Sequence, residues 1–303
     1  MESSEYANTN VNVDLDLQSP ATQNEITYNL DTNEITYNLD TKDHYETEGY
    51  ARFDSFYSTE RIEQLNSIID DLSVSLGVCD TVFDEDGTGK LKQIQYLHRH
   101  HEEFQKLVND LRPFAEFLSG SSDLNLLNVQ LFEKHNDISK PTRAHQDNAY
   151  FKIDPPTALT FWLSLDDVDE ENGCLYYAPK THLTPTRKHQ RYHPHTTFRM
   201  RSGVPGLSLC LHEHPEETDI PIYTKKGDLL VHNCNLVHRA GNNTSKDRRR
   251  RAIGVVFIPA NCVENPLLVK YHNDRLREDI ELQKVKDPAR YRELREQFDY
   301  LFN

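Results

Sequence analysis

Ala158-Leu-Thr-Phe-Trp-Leu-Ser-Leu165 is an apolar, β-favouring run that reads as a strand, and it follows His145-Gln-Asp-Asn-Ala-Tyr-Phe151, an aromatic segment also read as extended. Working outward, Leu127–Phe132, Cys174–Ala178, Leu229–His232 and Ala252–Ile258 have the same texture: short strands between turn residues, with no helical stretch among them. Such a series predicts a mainly β domain, a barrel or a two-sheet jelly roll. Upstream, Gly49–Phe53 reads as a short strand. Ser58 and Thr59 cap an amphipathic helix with Ile62, Leu65, Ile69, Leu72 and Leu76 at helical spacing. A second helix is expected from Glu102 to Phe117, with Phe104, Leu107, Leu111 and Phe114 on one side, and a helical tail from Asp274 to Phe302, broken before Pro288. The expected architecture is a double-stranded β-helix core with flanking helices.

His145-Gln146-Asp147 is one of three His-x-Asp triplets, a frequency that chance alone explains. His135-Asn-Asp137 sits in a turn rich in Asn, Asp, Ser and Pro, and His272-Asn-Asp274 reads as the cap of the C-terminal helix. The middle triplet alone runs into strand-like sequence. On a strand, alternate residues share a face, so His145 and Asp147 would project together. A histidine arriving from a distant strand would complete two imidazoles and one carboxylate on one metal face. That set characterises non-haem Fe(II) oxygenases and leaves coordination positions open for a co-substrate and O2.

The chain has 303 residues, enough for one large domain or two small ones. Its net charge of −15 is uneven: residues 1–48 carry eleven acids against Lys42 alone, a net of −10. The body is close to balanced, which disfavours nucleic-acid binding through a wide basic face. Residues 1–42 are polar and contain a tandem repeat, Asn24-Glu-Ile-Thr-Tyr-Asn-Leu-Asp-Thr32 followed by the same nine residues at Asn33–Thr41. This composition cannot bury enough apolar surface to offset its ordering entropy, so a disordered acidic tail is expected, with the folded domain over residues 43–303. Five scattered cysteines (Cys79, Cys174, Cys210, Cys234, Cys262) fit reduced thiols. With no hydrophobic signal core and no apolar run of membrane-spanning length, the expected localisation is cytoplasmic.

From His145 onward the features fall in a specific order: His145-Gln-Asp-Asn-Ala-Tyr-Phe, Leu159–Asp167, Glu171-Asn-Gly-Cys-Leu175 with Pro179-Lys-Thr-His182, Lys226-Gly-Asp-Leu-Leu-Val-His232, and His238-Arg-Ala-Gly-Asn-Asn-Thr-Ser245 before Arg248-Arg-Arg-Arg251. This series resembles the phytanoyl-CoA dioxygenase family of Fe(II)/2-oxoglutarate oxygenases over roughly residues 44 to 260. The resemblance implies a jelly-roll, cupin-like core, Fe(II) held by His145, Asp147 and His238, and 2-oxoglutarate and O2 as co-substrates. It favours His238 over His232 as the second imidazole, because the family's ligand precedes a small-residue turn and an Asn. It also implies an arginine for the distal carboxylate of 2-oxoglutarate, where a guanidinium supplies charge and orientation together. Counting back from the strand Ala252-Ile253 selects Arg250, and counting forward from His238 selects Arg249. Strand register makes Arg250 the preferred residue, since the two point to opposite faces. Trp162 matches a position lining the co-substrate pocket and Gln130 one where a polar pocket residue is found. Asp147 favours an oxygenase over related halogenases, which carry Gly or Ala there. The chain departs from the pattern at Ala240, where relatives carry Ser, and at Lys180, which replaces a turn Gly.

Lys180–Arg201 holds six bases, four histidines and no acid. The resemblance implies that it lies in the connection flanking the active-site mouth, where it would draw a carboxylate- or phosphate-bearing small molecule. The expected reaction is oxidation of an unactivated C–H bond: hydroxylation foremost, with desaturation or oxidative ring closure as further outcomes. Two other readings stand beside it. One is a non-catalytic binding module on the same fold. The other is a zinc hydrolase, since zinc also accepts two histidines and a carboxylate.

Overall fold

The computed structural model describes residues 28–29, 34–35, 39–76, 80–83, 89–136, 139–191, 207–209, 214 and 218–302. The acidic segment up to residue 27, Cys79, Asp137, Cys210 and His212, and the second half of the basic segment (His193, His195, Arg199 and Arg201 included), lie outside the described residues.

Two antiparallel sheets make the centre. The larger contains β1 (Tyr50–Phe53), β2 (Thr81–Phe83), β3 (Leu91–Ile94), β4 (Leu124–Lys134), β6 (Leu159–Ser164), β9 (Leu229–Asn233) and β11 (Arg250–Pro259), in the order β1-β9-β6-β11-β4-β3-β2. The smaller contains β5 (Thr142–His145), β7 (Leu175–Ala178), β8 (Ile220–Ile222) and β10 (Val237–Ala240), in the order β8-β7-β10-β5. From β4 to β11 the chain passes repeatedly between the sheets, with β7 and β8 paired in the smaller one, in the manner of a double-stranded β-helix.

The two faces of the large sheet do different things. Leu159, Phe161 and Leu163 of β6 point outward with Ile253, Val255 and Phe257 of β11 and Val129 and Leu131 of β4, and all belong to one buried core. Helices α2 (Thr59–Ser75) and α3 (Glu102–Ser119) cover that face with Ile62, Leu65, Ile69, Phe104, Leu107, Leu111 and Phe114. Ser58 caps α2, its hydroxyl accepting from Arg61 N, and Gly120, at φ +69°, ends α3. The alternate residues Thr160, Trp162 and Ser164 face the small sheet. Because both faces are covered, β6 reads as a continuous apolar run rather than an alternating one. Gly254 lies opposite both Gln130 and Trp162; a Cβ there would meet the Phe132 ring at 2.9 Å, and Phe132 stacks on Trp162 with centroids 4.9 Å apart.

Helix α1 (Leu39–Glu48) starts within the second copy of the repeat and buries Tyr45. Three sequence expectations are corrected. The C-terminal helix α4 (Pro266–Lys286) begins eight residues before Asp274, where the Asn265 side chain caps Leu267 N and Leu268 N. His272 and Asp274 therefore lie inside the helix, not at its cap. The break before α5 (Pro288–Gln297) falls at Asp287 as expected. Asn148–Phe151 is a single helical turn rather than an extended segment. The strand expected at Leu127–Phe132 spans Leu124–Lys134, and β2, β3 and β8, too short to announce themselves, complete the sheets.

Since Phe161 is fully buried between β6 and the helices, Phe161→Ala should lower stability by about 3–5 kcal/mol. Chemical denaturation should register the loss as a lower midpoint with an unchanged slope.

Candidate active site

β5 ends at His145, and the chain turns through Gln146 into the Asn148–Phe151 helical turn. Asp147 has φ −58° and ψ −32°, so helical backbone brings it beside His145, not strand alternation. The turn is pinned on three sides. Asn148 N donates to Cys234 O (2.8 Å), Gln146 Nε2 to Asn235 O (2.7 Å), and Gln146 N to His189 Nε2 (2.8 Å). For His189 to accept at Nε2 its proton must sit on Nδ1, which donates to Arg187 O at 2.9 Å.

His238 on β10 lies directly opposite His145 on β5, with ring centroids 4.3 Å apart. His145 Nδ1 donates to Arg143 O (2.8 Å) and His238 Nδ1 to Leu236 O (3.0 Å). Each bond fixes the tautomer that leaves an Nε2 lone pair free. Both Nε2 atoms turn towards Asp147 Oδ1, at 3.5 and 3.6 Å. The donor atoms of His145, Asp147 and His238 all lie within 4.8 Å of one another, a spacing that suits a single metal ion.

The other carboxylate oxygen is held from outside. Thr160 Oγ1 donates to Asp147 Oδ2 at 2.8 Å, and His232 Nε2 stands 3.4 Å from it without hydrogen-bond geometry. His232 is buried on β9, with Nδ1 2.9 Å from the Tyr177 hydroxyl. Burial and the charge of Asp147 push the Tyr177 phenol well above its ordinary range, so it donates to His232. Burial would raise Asp147, but His238, His145 and His232 outweigh it and hold the carboxyl well below the usual carboxylate range. Burial and neighbouring His145 push His238 down to about 3. An ionised carboxylate beside a neutral imidazole is the protonation state that metal binding requires.

Arg250 opens β11 and is buried, its guanidinium 5.4 Å from the Trp162 ring. Burial pushes its pKa down to about 10, so it stays cationic at neutral pH, yet its Nε and Nη1 find no hydrogen-bond partner among the described residues. The other three arginines of the run are engaged elsewhere. Arg248 forks onto Asp169 and also meets Glu171, Arg251 is buried between Asp70 and Glu133, and Arg249 is two-fifths exposed, 3.8 Å from Asp70. Gln130 is half-buried on the interior face, its Oε1 accepting from Asn128 Nδ2. The structure thus brings together His145, Asp147 and His238, and places Arg250, Trp162 and Gln130 on the same interior face; Arg249 points away. Lys180 adopts the left-handed conformation (φ +67°) that a turn Gly would occupy without strain. Arg187 N donates to Gln146 Oε1 (2.8 Å), which stitches the start of the basic segment to the ligand turn.

Sequence reasoning passed over Thr160, Tyr177 and His189. The first two become neighbours of the site through register, Thr160 opposite His232 and Tyr177 opposite His238, and a single sequence does not carry register.

Fold and site together define a double-stranded β-helix domain with a two-histidine, one-carboxylate cluster inside. Residues 45–252, 208 of 303, match the phytanoyl-CoA dioxygenase (PhyH) family, and the chain belongs to that family. It is similar to the peroxisomal phytanoyl-CoA dioxygenase of Bos taurus, 27% identical over 158 residues, covering 50% of this chain and 44% of that protein. Several of the curated relatives are likewise matched over only about half their length. Among solved structures it is similar to the non-heme alpha ketoglutarate dependent epimerase SnoN from nogalamycin biosynthesis (TM-score 0.60, 22% identity, 78% of this chain and 88% of that one). It is also similar to the carbocyclase SnoK of the same biosynthesis (TM-score 0.62, 22% identity, 76% and 87%). No helix among the described residues is long and apolar enough to cross a membrane.

His189 is pushed down to about 4, chiefly by burial, and His238 to about 3. An unfolded chain takes up both protons near pH 6.5, so between there and pH 4 it binds more protons than the folded one, and stability falls as pH falls. At pH 5 the loss from His189 is on the order of 2 kcal/mol, which denaturation at pH 7 and pH 5 should reveal. His189→Gln should flatten that dependence.

Proposed function

We propose that the protein is an Fe(II)- and 2-oxoglutarate-dependent oxygenase that oxidises an unactivated C–H bond of a small anionic metabolite. The observation that carries this reading is the buried Arg250 guanidinium with two unpartnered nitrogens, on the interior face that leads by way of Trp162 to Thr160 and the Asp147 cluster. Burying an unpaired guanidinium is costly, and a carboxylate bound bidentately would relieve the cost. A dicarboxylic keto acid fits the two ends, with its distal carboxylate on Arg250 and its other end at the metal. His145, Asp147 and His238 would hold Fe(II), which when bound supplies the positions where keto acid and O2 meet.

The remaining work falls to the protein. Thr160 fixes the outer oxygen of Asp147 with His232 standing behind it, Trp162 and Gln130 flank the co-substrate, and Arg187 and Lys188 beside the ligand turn favour an anionic substrate. A zinc hydrolase would leave Arg250 and Trp162 without an anion to hold, and a non-catalytic module would have no use for ligands in metal-ready protonation states. Hydroxylation is the outcome we assign. The epimerase and the carbocyclase share this fold, and the same site would support desaturation or ring closure if the substrate were placed differently.

Anaerobic addition of Fe(II) and 2-oxoglutarate to the apo-protein should produce a visible charge-transfer band that His145→Ala abolishes. A folded protein without the band would refute the assignment. Arg250→Ala should weaken 2-oxoglutarate binding at least about thirtyfold while Arg249→Ala changes it less than about twofold. The reverse ranking would mean that the other arginine holds the co-substrate.

A further inference from the structure

Four carboxamides stand together where β3 meets β4. Gln93 pairs with Phe132, whose ring faces the interior, while Ile94 pairs with Leu131 in the outer core. Gln93 and Gln95 therefore share the inner face with Asn128 and Gln130, and all four are half-buried. Asn128 occupies the same cross-strand row as Thr160, through Val256 of β11. Two strand spacings, about 10 Å, separate it from the threonine that holds Asp147.

The direction of the hydrogen bonds is what matters. Asn128 Nδ2 donates both ways, to Gln95 Oε1 (2.6 Å) and Gln130 Oε1 (3.1 Å). Asn128 Oδ1 accepts from Tyr96 N (3.1 Å), and Gln95 Nε2 donates to Gln93 Oε1 (2.9 Å). Every carbonyl oxygen of the ladder is thus engaged. What remains for a substrate is N–H: one on Gln95 and both on Gln93, with no acceptor among the described residues, while Gln130 keeps its own two beside the co-substrate. A face of this kind offers donors without charge.

Resting on the oxygenase reading above, we infer that this ladder is a subsite for the oxidised substrate, and that it takes a small molecule bearing carboxylate or amide carbonyl oxygens, not an alkyl chain. An alkyl chain laid here would strip water from several N–H groups and return no acceptor, at about tenfold in affinity for each stranded donor. Carbonyl or carboxylate oxygens replace that water directly. The uncharged ladder orients the oxygens, and the basic segment by the ligand turn supplies the attraction.

The test uses the full chain loaded anaerobically with Fe(II) and 2-oxoglutarate. The visible band reports the underlying assignment, and its shift on adding a probe reports this one. The probes are the twenty L-amino acids, their N-acetyl derivatives and palmitoyl-CoA. Members of the first two sets should shift the band and accelerate 2-oxoglutarate decarboxylation. Gln93→Glu, which replaces donors by an anionic acceptor, should weaken the response at least tenfold with the band itself retained, and Gln95→Leu should do the same if the first variant folds poorly. A band that responds to palmitoyl-CoA alone, to no acid or amide in the panel, or equally in wild type and both variants overturns the inference.

Discussion

Each residue of β6 is committed to one of two faces, and most of the molecule follows from that division. Leu159, Phe161 and Leu163 go to the helices, while Thr160 and Trp162 go to the cavity. Side chains alternate with a period of two, so a slip of one residue would set Phe161 beside Asp147 and press Thr160 into the core. The burial of Phe161 against α2 and α3 thereby protects the register that carries Thr160 to Asp147. Core stability and site geometry are the same constraint seen from opposite sides of one strand.

Inside the cavity the protein keeps two opposite charges apart. Asp147 is surrounded by Thr160 and imidazoles, and Arg250 has an aromatic ring nearby and, among the described residues, two nitrogens without a hydrogen-bond partner. Elsewhere the same arginine run behaves as arginines ordinarily do, Arg248 and Arg251 each closing ion pairs with nearby carboxylates. Left unpaired, a buried charge is a net cost to folding, and one that binding a partner of opposite sign removes. The two ends are complementary to a cation at one and an anion at the other.

Much of this was legible beforehand. The caps and apolar spacing of α2 and α3 are local signals, since Ser58 and the leucine periodicity act within a few residues of themselves. The long strands β4, β6 and β11 announce themselves by composition. Harder to see were β2, β3 and β8, whose residues suit a loop as well as a strand until a neighbour supplies hydrogen-bond partners. Asp147 lies beside His145 for a reason other than strand alternation. It sits beside His145 because Gln146 and Asn148 are anchored to Asn235 and Cys234, some ninety residues away in the chain.

Residue types, their order and the two periodicities are written in the chain, and with them the sandwiched sheet, the flanking helices, and His145, Asp147, His238 and Arg250 as candidate residues. That Arg250, rather than Arg249, turns inward is a property of the folded sheet. It alone shows that Thr160 and His232 stand behind the outer oxygen of Asp147, and that the carboxamides of β3 and β4 join in one ladder on a single face. Those choices depend on cross-strand register, which is set when distant segments bury their apolar faces together and is therefore a property of the assembled sheet, not of any one segment.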